Sequence, residues 1–137
     1  MKILIVEDNP VNYRMLQVLL EQYGEIEIAV NGRAGLAAFE RAHQKNSPIE
    51  LIFLDIVMPE MDGHEVLERI RALERGKGLV TEEQQVKVVM STSQDRTDSV
   101  IRSFEAGAQH YFLKPYNALE LEDLMDQMGF SKVNPLP

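Results

Sequence analysis

A chain of 137 residues, 45% of them hydrophobic, suits one domain with a real core and is too apolar to remain disordered. Cysteine is absent, which excludes a disulfide frame and a thiolate zinc site. The 22 acidic and 14 basic residues leave a net charge of −8, which argues against general, direct nucleic-acid binding because phosphate contacts need lysine and arginine.

No apolar run approaches the roughly 18 residues that a membrane span requires. The N-terminus enters a strand at once, without a signal-peptide pattern. A soluble, cytoplasmic protein with no membrane contact is expected.

The first strand, about 2–6, is Lys2-Ile3-Leu4-Ile5-Val6, and it ends on two acids, Glu7 and Asp8. Asn9-Pro10 then supplies a capping residue and a proline at the first helical position. Helix one carries Val11, Met15, Leu16, Leu19 and Leu20 at helical spacing. A second strand, about 25–30, alternates in Ile26-Glu27-Ile28-Ala29-Val30, as an edge strand can. Helix two, about 32–45, carries Leu36 and Phe39. The third strand, about 50–54, is the run Leu51-Ile52-Phe53-Leu54, closed by Asp55. Helix three, about 63–75, carries Val66, Leu67, Ile70 and Leu73.

Gly76–Gln85 is a long polar connection with room for an extra helical turn. The fourth strand, about 86–91, leads to the hydroxyl run Ser91-Thr92-Ser93. Helix four, about 95–106, carries Val100, Ile101 and Phe104, and Gly107 can end it. The fifth strand, His110-Tyr111-Phe112-Leu113, is followed by Lys114. Helix five starts at Asn117, places Glu120 in capping-box position, and carries Leu121, Leu124, Met125 and Met128. The helical stripes read as core. Residues 1–128 form the expected domain and 129–137 a frayed C-terminal tail.

Regular βα alternation implies an α/β fold, a doubly wound parallel sheet with helices on both faces and right-handed crossovers. For five units the flavodoxin-like strand order 2-1-3-4-5 is expected. Strands one, three and four are then central, which fits their nearly continuous apolar runs. Parallel strands all end on one edge, so Glu7, Asp8, Asp55, Thr92 and Lys114 should converge there.

Glu7, Asp8 and Asp55 would crowd negative charge into one pocket of hard oxygen ligands, which suits Mg²⁺. A bound divalent ion relieves the repulsion and can hold a phosphoryl oxygen. Asp55 could then act as a carboxylate nucleophile toward a phosphoryl donor. Phosphoryl transfer mainly needs positioning and charge neutralisation, which the metal and Lys114 would supply.

These pieces together resemble a receiver domain of a two-component response regulator, chemotaxis-regulator-like, over about residues 1–128. The resemblance rests on Val6-Glu7-Asp8-Asn9-Pro10, on Leu54-Asp55-Ile56-Val57-Met58-Pro59 with Asp62-Gly63, on the hydroxyl after strand four, and on Glu105-Ala106-Gly107-Ala108 running to Lys114-Pro115. It implies that Asp55 is the phosphoacceptor and a direct metal ligand with Asp8. Glu7 would reach the metal through water, and Val57 would offer its backbone carbonyl. Lys114 would bind the phosphate, and Pro115 would follow a cis peptide bond.

Thr92 stands 22 residues before Lys114, the usual family interval, and so matches the switch hydroxyl. Ser93 takes a slot where the family prefers a small residue. Tyr111 matches the switch aromatic, and the face of helix four, strand five and helix five the output surface. The implied function is a phosphorylation-activated signalling switch rather than a classical enzyme, though it would take part in its own phosphorylation and dephosphorylation. Its partners would be a sensor histidine kinase or a histidine phosphotransfer protein, and a homodimer through the output face is possible. Val57 and Gln94 would flank the pocket and tune the lifetime of the phosphorylated state. The Glu7–Asn12 stretch is similar to receivers of hybrid kinases, so a module of a larger regulator is an alternative.

Plainer roles exist for each residue. Glu7 and Asp8 could merely cap helix one, Thr92 could cap helix four in competition with Asp95, and Tyr111 could be ordinary edge packing. His43, His64 and His110 lack ligand spacing and read as surface or edge residues. A haloacid-dehalogenase-type phosphohydrolase expects a second Asp two residues after the first, where Val57 stands. A flavodoxin-like cofactor binder expects a Ser/Thr/Gly-rich loop where Glu7-Asp8 stands. A pseudo-receiver interaction module usually lacks an acid or the lysine, and both are present.

Overall fold

The computed structural model describes residues 1–93, 97–114 and 116–133. Gln94, Asp95 and Pro115 lie outside them, so the roles expected of these three are not addressed by the structure.

Five strands form one parallel sheet in the order β2-β1-β3-β4-β5, with β1 Lys2–Val6, β2 Glu25–Ala29, β3 Leu51–Asp55, β4 Lys87–Thr92 and β5 His110–Leu113. The helices α1 Pro10–Leu20, α2 Gly32–Gln44, α3 Gly63–Gly76, α4 Thr97–Glu105 and α5 Ala118–Gln127 alternate with them. The flavodoxin-like order expected from the alternation is the order found.

Each central strand faces two cores because successive side chains point to opposite sides. Leu4, Val6, Ile52, Leu54, Val88 and Met90 pack with Phe39, Val66, Leu67 and Ile70 on the α2–α3 side. Ile3, Ile5, Leu51, Phe53 and Val89 pack with Leu16, Leu20, Leu121, Leu124 and Met125 on the α1–α5 side. This two-sided burial explains why β1, β3 and β4 read as continuous apolar runs.

The caps locate the helix starts. Asn9 Oδ1 accepts from Val11 and Asn12 N–H, with Pro10 at the first turn; Asp62 accepts from Glu65 N–H; Asn117 accepts from Leu119 and Glu120 N–H. Because Asn9 caps α1, Glu7 and Asp8 are not needed for that job.

Several expectations need correction. Strands β3 and β4 each start and end one residue later than expected, so Asp55 and Thr92 are strand residues, while β2 stops at Ala29 and leaves Val30 exposed. The helical stripes are not all core: Val11, Met15, Ile101 and Phe104 are exposed. Periodicity reports an apolar face but not whether anything covers it. The 76–85 connection includes a turn in which the Thr81 carbonyl accepts from Gln84 and Gln85 N–H. Residues 129–133 are tied back rather than frayed, with Val133 N–H donating to the Gln22 carbonyl and Phe130 packed on the α1–α5 side.

The ion pair between Arg71 and Glu74 of α3 is buried. Arg71 donates to Glu74 (2.7 Å), to the Val86 carbonyl (2.8 Å) and to the Gly107 carbonyl (2.7 Å), while Glu74 accepts from Val86 N–H (2.7 Å). It joins α3 to the start of β4 and to the turn after α4. Gly107 has φ +102°, which a side chain would strain, and an added Cβ would stand 3.0 Å from Arg71 Nε.

Candidate functional site

The sheet brings together the residues that its C-terminal edge was expected to collect. Asp55 is the last residue of β3 and is 5% exposed; Glu7 follows β1 and is 1% exposed; Asp8 beside it is exposed. Carboxylate oxygens from these three residues lie within 4.8 Å of one another. β1 and β3 are paired neighbours, with Val6 beside Leu54, so their first residues beyond that pair emerge side by side.

Lys114 enters from the far side of the sheet. Its backbone N–H donates to the Thr92 carbonyl at 2.9 Å, which fixes the residue beyond β5. Its ammonium donates to Glu7 Oε1 and lies 3.3 Å from Asp55 Oδ1. In this arrangement the lysine is the counter-charge of the acidic pair.

The acids titrate unequally. Burial is the largest influence on Asp55; the hydrogen bond and negative charge of Glu7 add to it, Lys114 offsets only part, and the carboxyl is pushed up to about 7. Burial also works to raise Glu7, but hydrogen bonds with Lys114 and Asp55 and the lysine charge overcome it and hold Glu7 below its ordinary value. Two adjoining carboxylates with one ammonium thus retain a proton on Asp55 near neutral pH. A divalent cation among these hard oxygens would remove the need for it, so the donor set fits such an ion.

Thr92, the last residue of β4, is 1% exposed, whereas Ser93 is exposed. Ser91 points to the other face of the sheet, where its hydroxyl meets the Tyr116 hydroxyl at 2.5 Å. Tyr116 stacks on Phe112 and its own pKa is raised, chiefly by burial. Tyr111 is half-buried in β5 against the α2–α3 core. Val57 is exposed, two residues beyond Asp55.

The loop from Asp55 to α3 is tightly built. Gly63 N–H donates to the Ile56 carbonyl at 2.9 Å, and a side chain at Gly63 would collide with the Asp55 carbonyl. Glu60 in this loop has φ +67°, which is uncommon for a residue with a side chain. His64, the next residue after Gly63, is 4% exposed and bonded to α4, which corrects its expected place on the surface. Neither Tyr116 nor His64 was read as part of the site. Tyr116 had a signal in its position just past Lys114, but His64 had none, because its partners are polar residues of a different helix.

The family model described as response regulator receiver domain matches residues 3–126. Among curated proteins, the chain is 29% identical to the hybrid signal transduction histidine kinase L of Dictyostelium discoideum over 93% of its own length and 7% of that kinase. Other curated relatives are spanned to as much as 88%. The crystal structure of a CheY-like response regulator receiver domain protein from Methanospirillum hungatei JF-1 is 30% identical, with TM-score 0.76, covering 93% of this chain and 91% of that one. The Saccharomyces cerevisiae co-crystal structure of the phosphotransfer protein Ypd1 with the receiver domain of Ssk1 matches with 26% identity and TM-score 0.80, over 94% of this chain and 88% of that one. Sheet order, acidic edge and family match agree: the chain belongs to the response regulator receiver domain family of two-component signalling.

Proposed function

We propose that the chain is a phosphorylation-activated switch in which Asp55 accepts a phosphoryl group from a phosphohistidine. The supporting observation is the clustering of Glu7, Asp8 and Asp55 oxygens within 4.8 Å, with the Lys114 ammonium bridging Glu7 and Asp55. Glu7, Asp8, Asp55 and the Val57 carbonyl would hold Mg²⁺, which when bound would neutralise phosphoryl oxygens and the crowded acids.

The Asp55 carboxylate attacks phosphorus as the bond to the donor nitrogen breaks. Lys114 turns from the carboxylates to a phosphoryl oxygen, and the Thr92 hydroxyl donates to another. Tyr111, in the strand that Lys114 follows, moves with the change and alters the α4–β5–α5 surface. That phosphate biases an existing two-state equilibrium rather than creating a new shape.

A sensor kinase or histidine phosphotransfer protein would be the donor. The exposed Val11, Met15 and Val18 lie on α1, which begins just after Glu7 and Asp8, and would offer an apolar footing for it. Residues 1–128 would be the working unit, alone or as a module of a larger regulator, with 129–137 as a tail.

Intact mass after incubation with a small acyl-phosphate donor tests this. The expected result is one hydrolysable phosphoryl adduct that needs Mg²⁺ and is absent in Asp55→Asn. An Asp55→Asn protein modified at the wild-type rate in the same pocket would refute the assignment. Thr92→Ala should still accept phosphate but respond structurally less, and Lys114→Ala should impair the response.

A further inference from the structure

The α4 helix is anchored by a polar contact. Among its described side chains, Ser99 to Glu105, only Ser103 is buried, at 0% exposure, while Ile101 and Phe104 are 52% and 47% exposed. Ser103 meets a second buried polar group. His64 Nε2 lies 3.0 Å from Ser103 Oγ and 3.2 Å from the Ser99 carbonyl oxygen.

The proton positions follow from chemistry. A carbonyl oxygen only accepts, and Ser103 Oγ–H is already committed to the same Ser99 carbonyl at 2.9 Å. Nε2 therefore carries a hydrogen and donates to both oxygens. The result is a closed triangle of His64, Ser103 and Ser99.

His64 is also coupled to the acidic edge. It follows Gly63, whose N–H holds the Ile56 carbonyl and whose Cα lies against the Asp55 carbonyl too closely for a side chain. One peptide step thus separates the residue packed on Asp55 from the ring that holds α4. Further along α3, Arg71 donates from Nε and Nη2 to the Gly107 carbonyl, just past the end of α4.

We propose that His64 is the positioning residue that couples the Asp55 loop to α4, its Nε2–H acting as a latch on Ser103 and Ser99. An apolar contact can slide, whereas a buried hydrogen-bond triangle is either made or leaves unpaired polar groups. The latch therefore gives α4 two discrete states. When it opens, the Arg71 anchor at Gly107 remains as a pivot, so α4 loosens most near Ser99 and least near Gly107. The latch stands on geometry alone, while its coupling role rests on the phosphoacceptor reading of Asp55.

Amide hydrogen exchange of the full chain tests the latch. His64→Phe keeps a ring without the donor, Ser103→Ala removes the acceptor hydroxyl, and His64→Gln keeps an N–H donor of similar reach. Residues 99–105 should exchange about five- to tenfold faster in His64→Phe and Ser103→Ala, graded toward Ser99, with β1 and β3 unchanged. His64→Gln should restore most of the protection. Unchanged protection in both disrupting variants, a uniform loss along the chain, or no rescue by His64→Gln would overturn the latch. If His64→Phe does not fold, Ser103→Ala decides.

Beryllofluoride with Mg²⁺, a phosphoryl mimic, tests the coupling by α4 amide shifts. The shifts should be full in wild type and reduced at least about threefold in Ser103→Ala at saturation. Equal shifts in both proteins would overturn the coupling. Failure of wild type to bind the mimic would instead refute the Asp55 reading and the coupling with it, leaving the exchange result to judge the latch.

Discussion

At the scale of single residues, Asp55 carries a stability cost when it is charged. Its carboxyl titrates near 7 rather than at the ordinary 3.8, because burial and Glu7 disfavour the charge. The stabilisation that this raised pKa brings is complete below about pH 4 and disappears as pH rises through about 7. Glu7 acts in the opposite sense, since its lowered pKa adds stability above about 4.5. Removing the Asp55 charge should therefore favour the metal-free fold most in alkaline solution. Asp55→Asn is expected to gain about 1–3 kcal/mol over wild type between pH 5 and pH 8.5, measured by urea denaturation in chelator. Magnesium bound among these carboxylates would have to displace the same proton. Its affinity should fall roughly tenfold per pH unit below 7 and level off above, with proton release detectable by calorimetry in buffers of different ionisation enthalpy.

The residues that end apolar strands were readable because a charge after a buried run has few structural reasons to be there. Glu7, Asp8, Asp55 and Lys114 all carried that signal. His64 carried none: it precedes the apolar period of α3, and Ser103 lies 39 residues further along the chain. A hydrogen bond between two polar residues on separate helices leaves no periodic trace in either one.

At the scale of elements, α3 does more than its apolar stripe suggests. Its Val66, Leu67 and Ile70 fill the core as the spacing predicts, yet Arg71 and Glu74, which follow them, are also buried, at 4% and 1% exposure. Only the approach of β4 and the Gly107 turn encloses them, which no local pattern could reveal. Glu74→Ala would strand the Arg71 charge and the Val86 N–H, and should cost about 3–5 kcal/mol in chemical denaturation. The paired change Arg71→Met with Glu74→Leu should cost markedly less, because no charge is left without its partner. The opposite error occurs in α1 and α4, where Val11, Met15, Ile101 and Phe104 keep helical spacing but face solvent.

At the scale of the whole molecule, the strand order was legible because five βα units leave few right-handed solutions for a parallel sheet. What lies on the outside of that sheet was not. Ile101, Phe104, Leu113 and Leu119 place exposed apolar side chains on α4, β5 and α5. If that face pairs two copies when Asp55 is modified, sedimentation velocity with beryllofluoride and Mg²⁺ should show a dimer, and Phe104→Glu should remain monomeric while binding the mimic equally well. A monomer in both cases would remove the dimer from the proposed function.

The contact between Lys114 and Glu7 joins residues 107 positions apart. The first strand and the fifth must both be in place before the pocket has its counter-charge. A chain still emerging from the ribosome, or cut short before β5, holds the acids of its first and third strands without the lysine that balances them. If Asp55 is the phosphoacceptor, the pocket becomes competent only after the fifth strand has docked on the fourth.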